Sequence, residues 1–175
     1  MPPGSSRGGA YDPDVSRREQ IRMTQEEGLA LLQDARVMTC ASHGPRGWPH
    51  LMPLWYVLRP TGPGDAPELW AWTYAKSQKA RNLERDPRAT VQVETGVAYE
   101  ELRGVMLECD VELTHDTDAV GALGVEIFTR YAPDGTTLAP EAEAAVRAQA
   151  PKRVAMRFVE RRRATWDHRK LAGVY

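Results

Sequence analysis

The clearest pattern in the chain is the alternation in "RGVMLECDVEL". Val105, Leu107, Cys109, Val111 and Leu113 share one face, and Met106, Glu108, Asp110 and Glu112 share the other, as in a strand with one side against a core. Short strand-like runs recur in "RVMTCAS", "WPHLMPLWYVLR", "ELWAWTY", "RATVQVET" and the closing "RVAMRFVERRRATW". Pro49 and Pro53 fall inside the second of these. Proline cannot donate to a ladder, so they predict an edge strand, a bulge or irregular pairing near Pro53. "HGPRG" reads as a hairpin turn and "PTGPGDAP" as a loop.

Helical signals appear in four places. Thr24 followed by Glu27 is a capping box, and the helix after it takes an apolar face from Leu29, Leu31 and Leu32. A short helix over about 77–86 ends before Pro87, and "DAVGALGVEIFTRYA" and "PEAEAAVRAQA" supply two more. Residues 1–20 are rich in Gly, Pro, Ser and charge and read as a disordered arm, which leaves residues 21–175 as one domain. Strands joined by hairpin-type links favour an antiparallel sheet over alternating βαβ units. The expected fold is mainly β (α+β), a small antiparallel barrel with peripheral helices.

Composition narrows the function. A formal net charge of −1 argues against a protein built to hold nucleic acid. No apolar run is long enough to span a membrane, and "MPPGSSRGGAYDPD" has no signal-peptide core, so a cytoplasmic protein is expected. Cys40 and Cys109 are read as two buried free thiols, with a single disulfide the less favoured alternative. His43 and His115 read as ordinary surface residues. His50 has no second histidine or carboxylate at ligand spacing, so no metal is expected. No Gly-rich loop of dinucleotide or P-loop type follows a strand. Arginine outnumbers lysine 19 to 4, a bias that points to a high-GC bacterial genome.

The chemistry concentrates in "TYAKSQKARNL", residues 73–83. Ser77 is placed to cap the short helix, whose first free N–H groups form a partially positive terminus. Lys79 lies on that first turn, Lys76 just before it and Arg81 just after. Hydroxyl, free amides and ammonium groups at one spot make a phosphate site. Trp70, Trp72 and Tyr74 alternate along the strand leading there. They can wall a flat ring or pack a core, and the basic residues can equally be solvated.

"SQKARNLERDPRATV" resembles the strand–helix–strand segment of the pyridoxamine 5'-phosphate oxidase-like split β-barrel superfamily, especially its flavin- and deazaflavin (F420)-dependent oxidoreductases. "VMTCASHGPRGWPHLMPLWYVL", "YEELRGVMLECDVEL" and "ATWDHRKLAGVY" resemble, in the same order, its opening hairpin, its RG-starting strand and its closing segment. The resemblance implies a split barrel that binds F420 or FMN; the positive charge of Lys76 and Arg81, suited to the longer acidic tail of F420, and the high-GC bias favour F420. Ser77 and Lys79 match the phosphate-holding positions, supported by Lys76 and Arg81. His50, Leu51, Met52 and Pro53 match the strand beside the ring, and Thr73 and Tyr74 the strand end between ring and phosphate. A homodimer is implied, with the cofactor at the subunit interface and Trp166, His168 and Lys170 reaching it from the partner chain.

The reaction so implied is hydride transfer to or from a small unsaturated or quinone-like substrate, with His168, Tyr74 or water as proton donor. His168 can equally be a surface histidine paired with Asp167. The end "HRKLAGVY" lacks the Arg- and His-bearing tail of the vitamin-oxidising members, so vitamin B6 oxidation is not expected. Two other readings remain: a non-catalytic cofactor carrier or sensor, and a haem-binding split barrel.

Overall fold

A computed structural model describes residues 16–133 and 136–171. Seven strands form one antiparallel sheet: β1 Met38–His43, β2 Pro49–Leu54, β3 Val57–Arg59, β4 Glu68–Tyr74, β5 Arg88–Thr95, β6 Arg103–Thr114 and β7 Arg153–Asp167. Their order across the sheet is β2-β1-β5-β6-β7-β4-β3. The sheet curls so far that its two edges, β2 and β3, are separated by only Trp55 and Tyr56 in the chain. The run "WPHLMPLWYVLR", read as one strand, is therefore two strands on opposite edges. Pro49 and Pro53 lie in β2 at a free edge, where the missing donors cost nothing.

Among the described residues five α-helices accompany the sheet: α1 Arg17–Gln20, α2 Gln25–Asp34, α3 Gln78–Arg85, α4 Thr117–Tyr131 and α5 Pro140–Arg147. Thr24 caps α2 with the full capping box to Glu27. Of the arm expected over residues 1–20, residues 1–15 lie outside the described residues. Residues 17–20 form the single turn α1, because the Ser16 hydroxyl accepts the Glu19 N–H and starts it.

The inner face of the sheet carries one core. Met38, Cys40, Val91, Val93, Val105, Leu107, Met156 and Phe158 meet there, closed by Leu31 and Leu32 of α2 and Leu83 of α3. The two cysteines are free and buried, as expected. A second core lies outside the barrel, where Val120, Leu123 and Ile127 of α4 and Val146 near the end of α5 pack on Val57, Trp72 and Ala155. Gly124 makes this contact close, since a Cβ there would lie 2.5 Å from the Trp72 ring.

The crossing between the two edges is held from both sides. Tyr56 is fully buried, and its hydroxyl donates to the Leu32 and Ala35 carbonyls at 2.6 and 3.1 Å. Arg130 of α4 donates to Leu32, Gln33 and Ala35 carbonyls at 3.0, 2.8 and 2.8 Å and lies 4.3 Å over the Tyr56 ring. These are orphan carbonyls at the end of α2. One guanidinium thus joins two helices to the strap that nearly closes the barrel.

Candidate functional site

Helix α3 starts where β4 ends and crosses one end of the barrel. The Ser77 hydroxyl accepts the Ala80 N–H at 3.2 Å and lies 3.3 Å from the Thr73 hydroxyl. The helix buries Lys79, Ala80, Asn82 and Leu83 on one face, the i, i+3, i+4 spacing of a helix stripe. Lys79 therefore points inward and is only 4% exposed. Burial pushes its ammonium below the ordinary lysine range, with the nearby Cys40 acting weakly the other way. Cys40 itself is raised to about 11 by burial, and Lys79 opposes that rise. Among the described residues no carboxylate or hydrogen-bond acceptor partners Lys79. A buried cation without a counter-charge is costly.

One turn further on, the Asn82 amide donates to the Ser42 hydroxyl at 3.1 Å and accepts from Gln78 at 2.8 Å, which seats α3 on β1. Across the ladder Ser42 is opposite His50 and Cys40 is opposite Met52. Directly opposed residues share a face, so His50 and Met52 turn inward, onto the same side of the sheet as the β1 residues that α3 contacts. His50 Nδ1 is buried with no partner. Lys79, Ser77 and His50 thus flank one corner between α3 and the free edge strand, where the Lys79 ammonium and the buried His50 Nδ1 have no partner among the described residues.

The remaining expected residues divide. Thr73 belongs to the corner through Ser77. Leu51 and Pro53 face the opposite side of β2 and are exposed, so only their backbone can serve an inward ligand. Lys76 is exposed at the entrance to α3. Arg81 is exposed, because two residues turn it about 200° from Lys79 around the helix. It does not join the corner. Trp70 and Trp72 belong to the outer core under α4 and are no wall for an inward-lying ring. Tyr74 is 54% exposed, with the Arg153 guanidinium 3.8 Å over its ring.

The closing segment lies elsewhere in this chain. Trp166 packs flat on Gly104 across the β6–β7 ladder, where a Cβ would lie 2.1 Å from the ring. The glycine of the "RG" start is thus a requirement of that packing. His168 does not pair with Asp167: its Nδ1 is 2.9 Å from the Tyr99 carbonyl. Asp167 instead binds Arg169, which holds its carboxyl below the usual carboxylate range. Lys170 is engaged by Glu27 at 2.6 Å and the Arg22 carbonyl at 2.8 Å, so its charge is already matched.

Asn82, Ser42 and Arg153 were missed in the sequence. Asn82 had a legible signal, since it follows Lys79 by three and must share its face. Arg153, stacked on Trp72 and Tyr74 with its Nε buried and unpartnered, had none, because the contact depends on the β4–β7 register.

A curled antiparallel sheet with its edges joined by a two-residue strap, and a helix start with a buried lysine at one end, define a split β-barrel. The pyridoxamine 5'-phosphate oxidase family matches residues 24–166, and the chain belongs to that family. The crystal structure of the conserved hypothetical protein Rv2991 from Mycobacterium tuberculosis is 38% identical, with 92% of this chain and 95% of that one covered and a TM-score of 0.77. An F420 reductase has the same fold at 22% identity, a TM-score of 0.59 and coverage of 81% and 98%. So does HutZ, the heme storage protein of Vibrio cholerae, at 12% identity, a TM-score of 0.59 and coverage of 79% and 90%. No curated protein matches the sequence. Among the described residues no helix is long and apolar enough to cross a membrane, and no group of His, Cys, Asp and Glu could hold a metal ion.

Proposed function

We propose that this protein is an oxidoreductase that binds a phosphate-bearing flavin or deazaflavin, FMN or F420, and positions it for hydride transfer to or from a small unsaturated or quinone-like substrate. The observation that carries the reading is Lys79: buried, without a counter-ion among the described residues, and on the first turn of a helix capped by Ser77. A phosphate supplies the missing negative charge, and the free amides of the α3 start add donors. The unpartnered His50 Nδ1 gives a further nitrogen on the facing strand.

The residues present fit such a group. Ser77, Lys79 and Thr73 would hold the phosphate end, and the β2 edge from His50 to Pro53 would run beside the ring with its unpaired backbone. The cofactor supplies the redox chemistry; the chain binds, orients and excludes water. Between the two cofactors we favour F420, on the exposed Lys76 beyond the clamp and on the arginine-rich composition.

We also propose a homodimer. Helices α4 and α5 cover the outer face of the sheet only at β3, β4 and the first part of β7. On the other half, Leu51 is 57% exposed beside Pro53, and Trp48, just before β2, is 77% exposed. Trp166 lies on that outer face opposite Gly104, and in such a dimer it would meet the partner's cofactor rather than its own.

The test is a titration of the purified protein with FMN, F420 and haem, following tryptophan fluorescence and the Soret region. Quenching by FMN or F420 at micromolar concentration supports the reading, and faster reoxidation of the reduced complex on adding a quinone separates an enzyme from a carrier. A Soret band with haem, and no response to either flavin-type cofactor, would replace it with the haem-binding reading.

A further inference from the structure

A second cation without a counter-charge lies at the same strand end as Lys79, on the outer face of the sheet. Arg153 opens β7 directly opposite Tyr74, the last residue of β4. Its guanidinium lies 3.8 Å over the Tyr74 ring and 4.5 Å over the Trp72 ring. Nη2 donates to the Gln149 side chain at 2.9 Å, while Nε is buried with no partner. No carboxylate among the described residues pairs with Arg153. The two rings hold the cation in place, but they do not neutralise it.

The main chain ties this cation to the phosphate corner. The Ala75 N–H donates to the Lys152 carbonyl at 3.0 Å, and the Ser77 N–H closes a turn on the Tyr74 carbonyl at 2.9 Å. Lys76 is in that turn and Lys152 is beside it. Both are exposed, and neither has an acidic partner among the described residues. Thr73 turns inward to Ser77, whereas Tyr74 turns outward to Arg153. The Cα atoms at the two ends of a turn are within about 7 Å, and ladder neighbours are about 5 Å apart. The backbone of Arg153 is therefore within roughly 12 Å of Ser77. Lys76, Lys152 and Arg153 mark a path from the corner, over the strand end, to the outer face. Arg81 is not on it, since it turns away from Lys79 around α3.

We propose that Arg153 is the residue that separates F420 from FMN, by anchoring a carboxylate of the acidic tail that F420 carries beyond its phosphate; this presupposes the cofactor reading, with the phosphate at Ser77 and Lys79. The spacing selects the tail. FMN ends at its phosphate and leaves all three cations unmatched. A second phosphate joined directly to the first lies too close to the corner to reach Arg153. Carboxylates spaced along a flexible chain of glutamates can meet Lys76 at the turn and Arg153 past it. Stacking on Trp72 and Tyr74 fixes the guanidinium beforehand, so little side-chain freedom is lost when a carboxylate arrives. Nη1, which makes no hydrogen bond among the described residues, is left to donate to it.

The experiment titrates the full chain with FMN, with F420 bearing its glutamates and with F420 stripped of them, read by calorimetry. In the wild type the glutamates should improve affinity at least about tenfold, the scale of one hydrogen bond to a charged group. Arg153→Gln should lose most of that gain while binding FMN and the stripped form as the wild type does, and Arg153→Lys should keep part of it. The double variant Lys76→Ser, Lys152→Ser, changed at two exposed positions, should weaken only the glutamate-bearing form. Equal affinity of the wild type for the two forms of F420, with both bound, would overturn the proposal and leave the cofactor reading standing. A loss in Arg153→Gln shared by all three ligands would assign Arg153 a structural role and overturn it as well. No binding of any of the three would remove the cofactor reading and this assignment together.

Discussion

Lys79→Met removes the ammonium while keeping an unbranched side chain of similar length in the same space. In the free protein the charge is buried at 4% exposure beside Cys40, with no carboxylate among the described residues. Replacing buried charge by well-packed apolar groups is commonly neutral or stabilising by about 1–4 kcal/mol. The lower part of that range, about 1–2 kcal/mol, corresponds to roughly 2–8 °C in Tm for a chain of this size. The pH dependence adds a second signature. The folded-state pKa of Lys79 is depressed below its unfolded value, so the unfolded state binds more protons between the two. The Lys79 contribution to stability should therefore grow with pH through the alkaline window below the ordinary lysine range, against the opposing loss from the buried thiols Cys40 and Cys109, so the stability of the wild type relative to Lys79→Met should rise with pH. Urea denaturation from pH 7 to pH 10, without phosphate in the buffer, reads both effects. A variant destabilised by about 1 kcal/mol or more, with an unchanged pH profile, would show that Lys79 already has a favourable structural partner and would refute the reasoning.

Other consequences follow from the packing. Gly104→Ala would drive a methyl into the Trp166 ring, 2.1 Å away, and should cost about 1–3 kcal/mol with a shift in tryptophan emission. Arg130→Met would leave the Gln33 carbonyl without its donor and the Leu32 and Ala35 carbonyls with the Tyr56 hydroxyl alone; a loss of about 1–3 kcal/mol is expected in urea denaturation. The thiols of Cys40 and Cys109, pushed up to about 11 and about 12 chiefly by burial, should resist a thiol reagent at pH 8 in the native protein and react on unfolding.

Most of the strands were legible because each has one dry face, and the alternation Val105 to Leu113 states that directly. The capping box at Thr24 and the Ser77 cap were equally local and equally visible. What failed was everything that depends on where the sheet turns back on itself. "WPHLMPLWYVLR" has no gap in apolar character, since Trp55 and Tyr56 are as hydrophobic as the strands they join; only the curl of the sheet separates its halves. Trp70 and Trp72 could not be assigned to ligand or core from period two alone, because either face of β4 could have met a helix. Lys170, which the resemblance assigned to a partner's cofactor, is met in this fold by Glu27 from the far end of the chain. Lys79 is the opposite case: its position on the first turn was visible, but its burial followed only from the way Ala80 and Leu83 anchor α3 to the barrel end.

The central claim is that this corner takes the phosphate of the cofactor, and the most direct measurement is a two-by-two comparison of affinities. FMN and riboflavin, which differ only in the phosphate, would be titrated against wild type and Lys79→Met; F420 and its phosphate-free ring fragment would serve if F420 binds instead. In the wild type the phosphate should improve affinity by about 100-fold or more, roughly 2.7 kcal/mol, and in the folded variant most of that gain should vanish. Equal affinity of the wild type for the forms with and without phosphate would contradict the account.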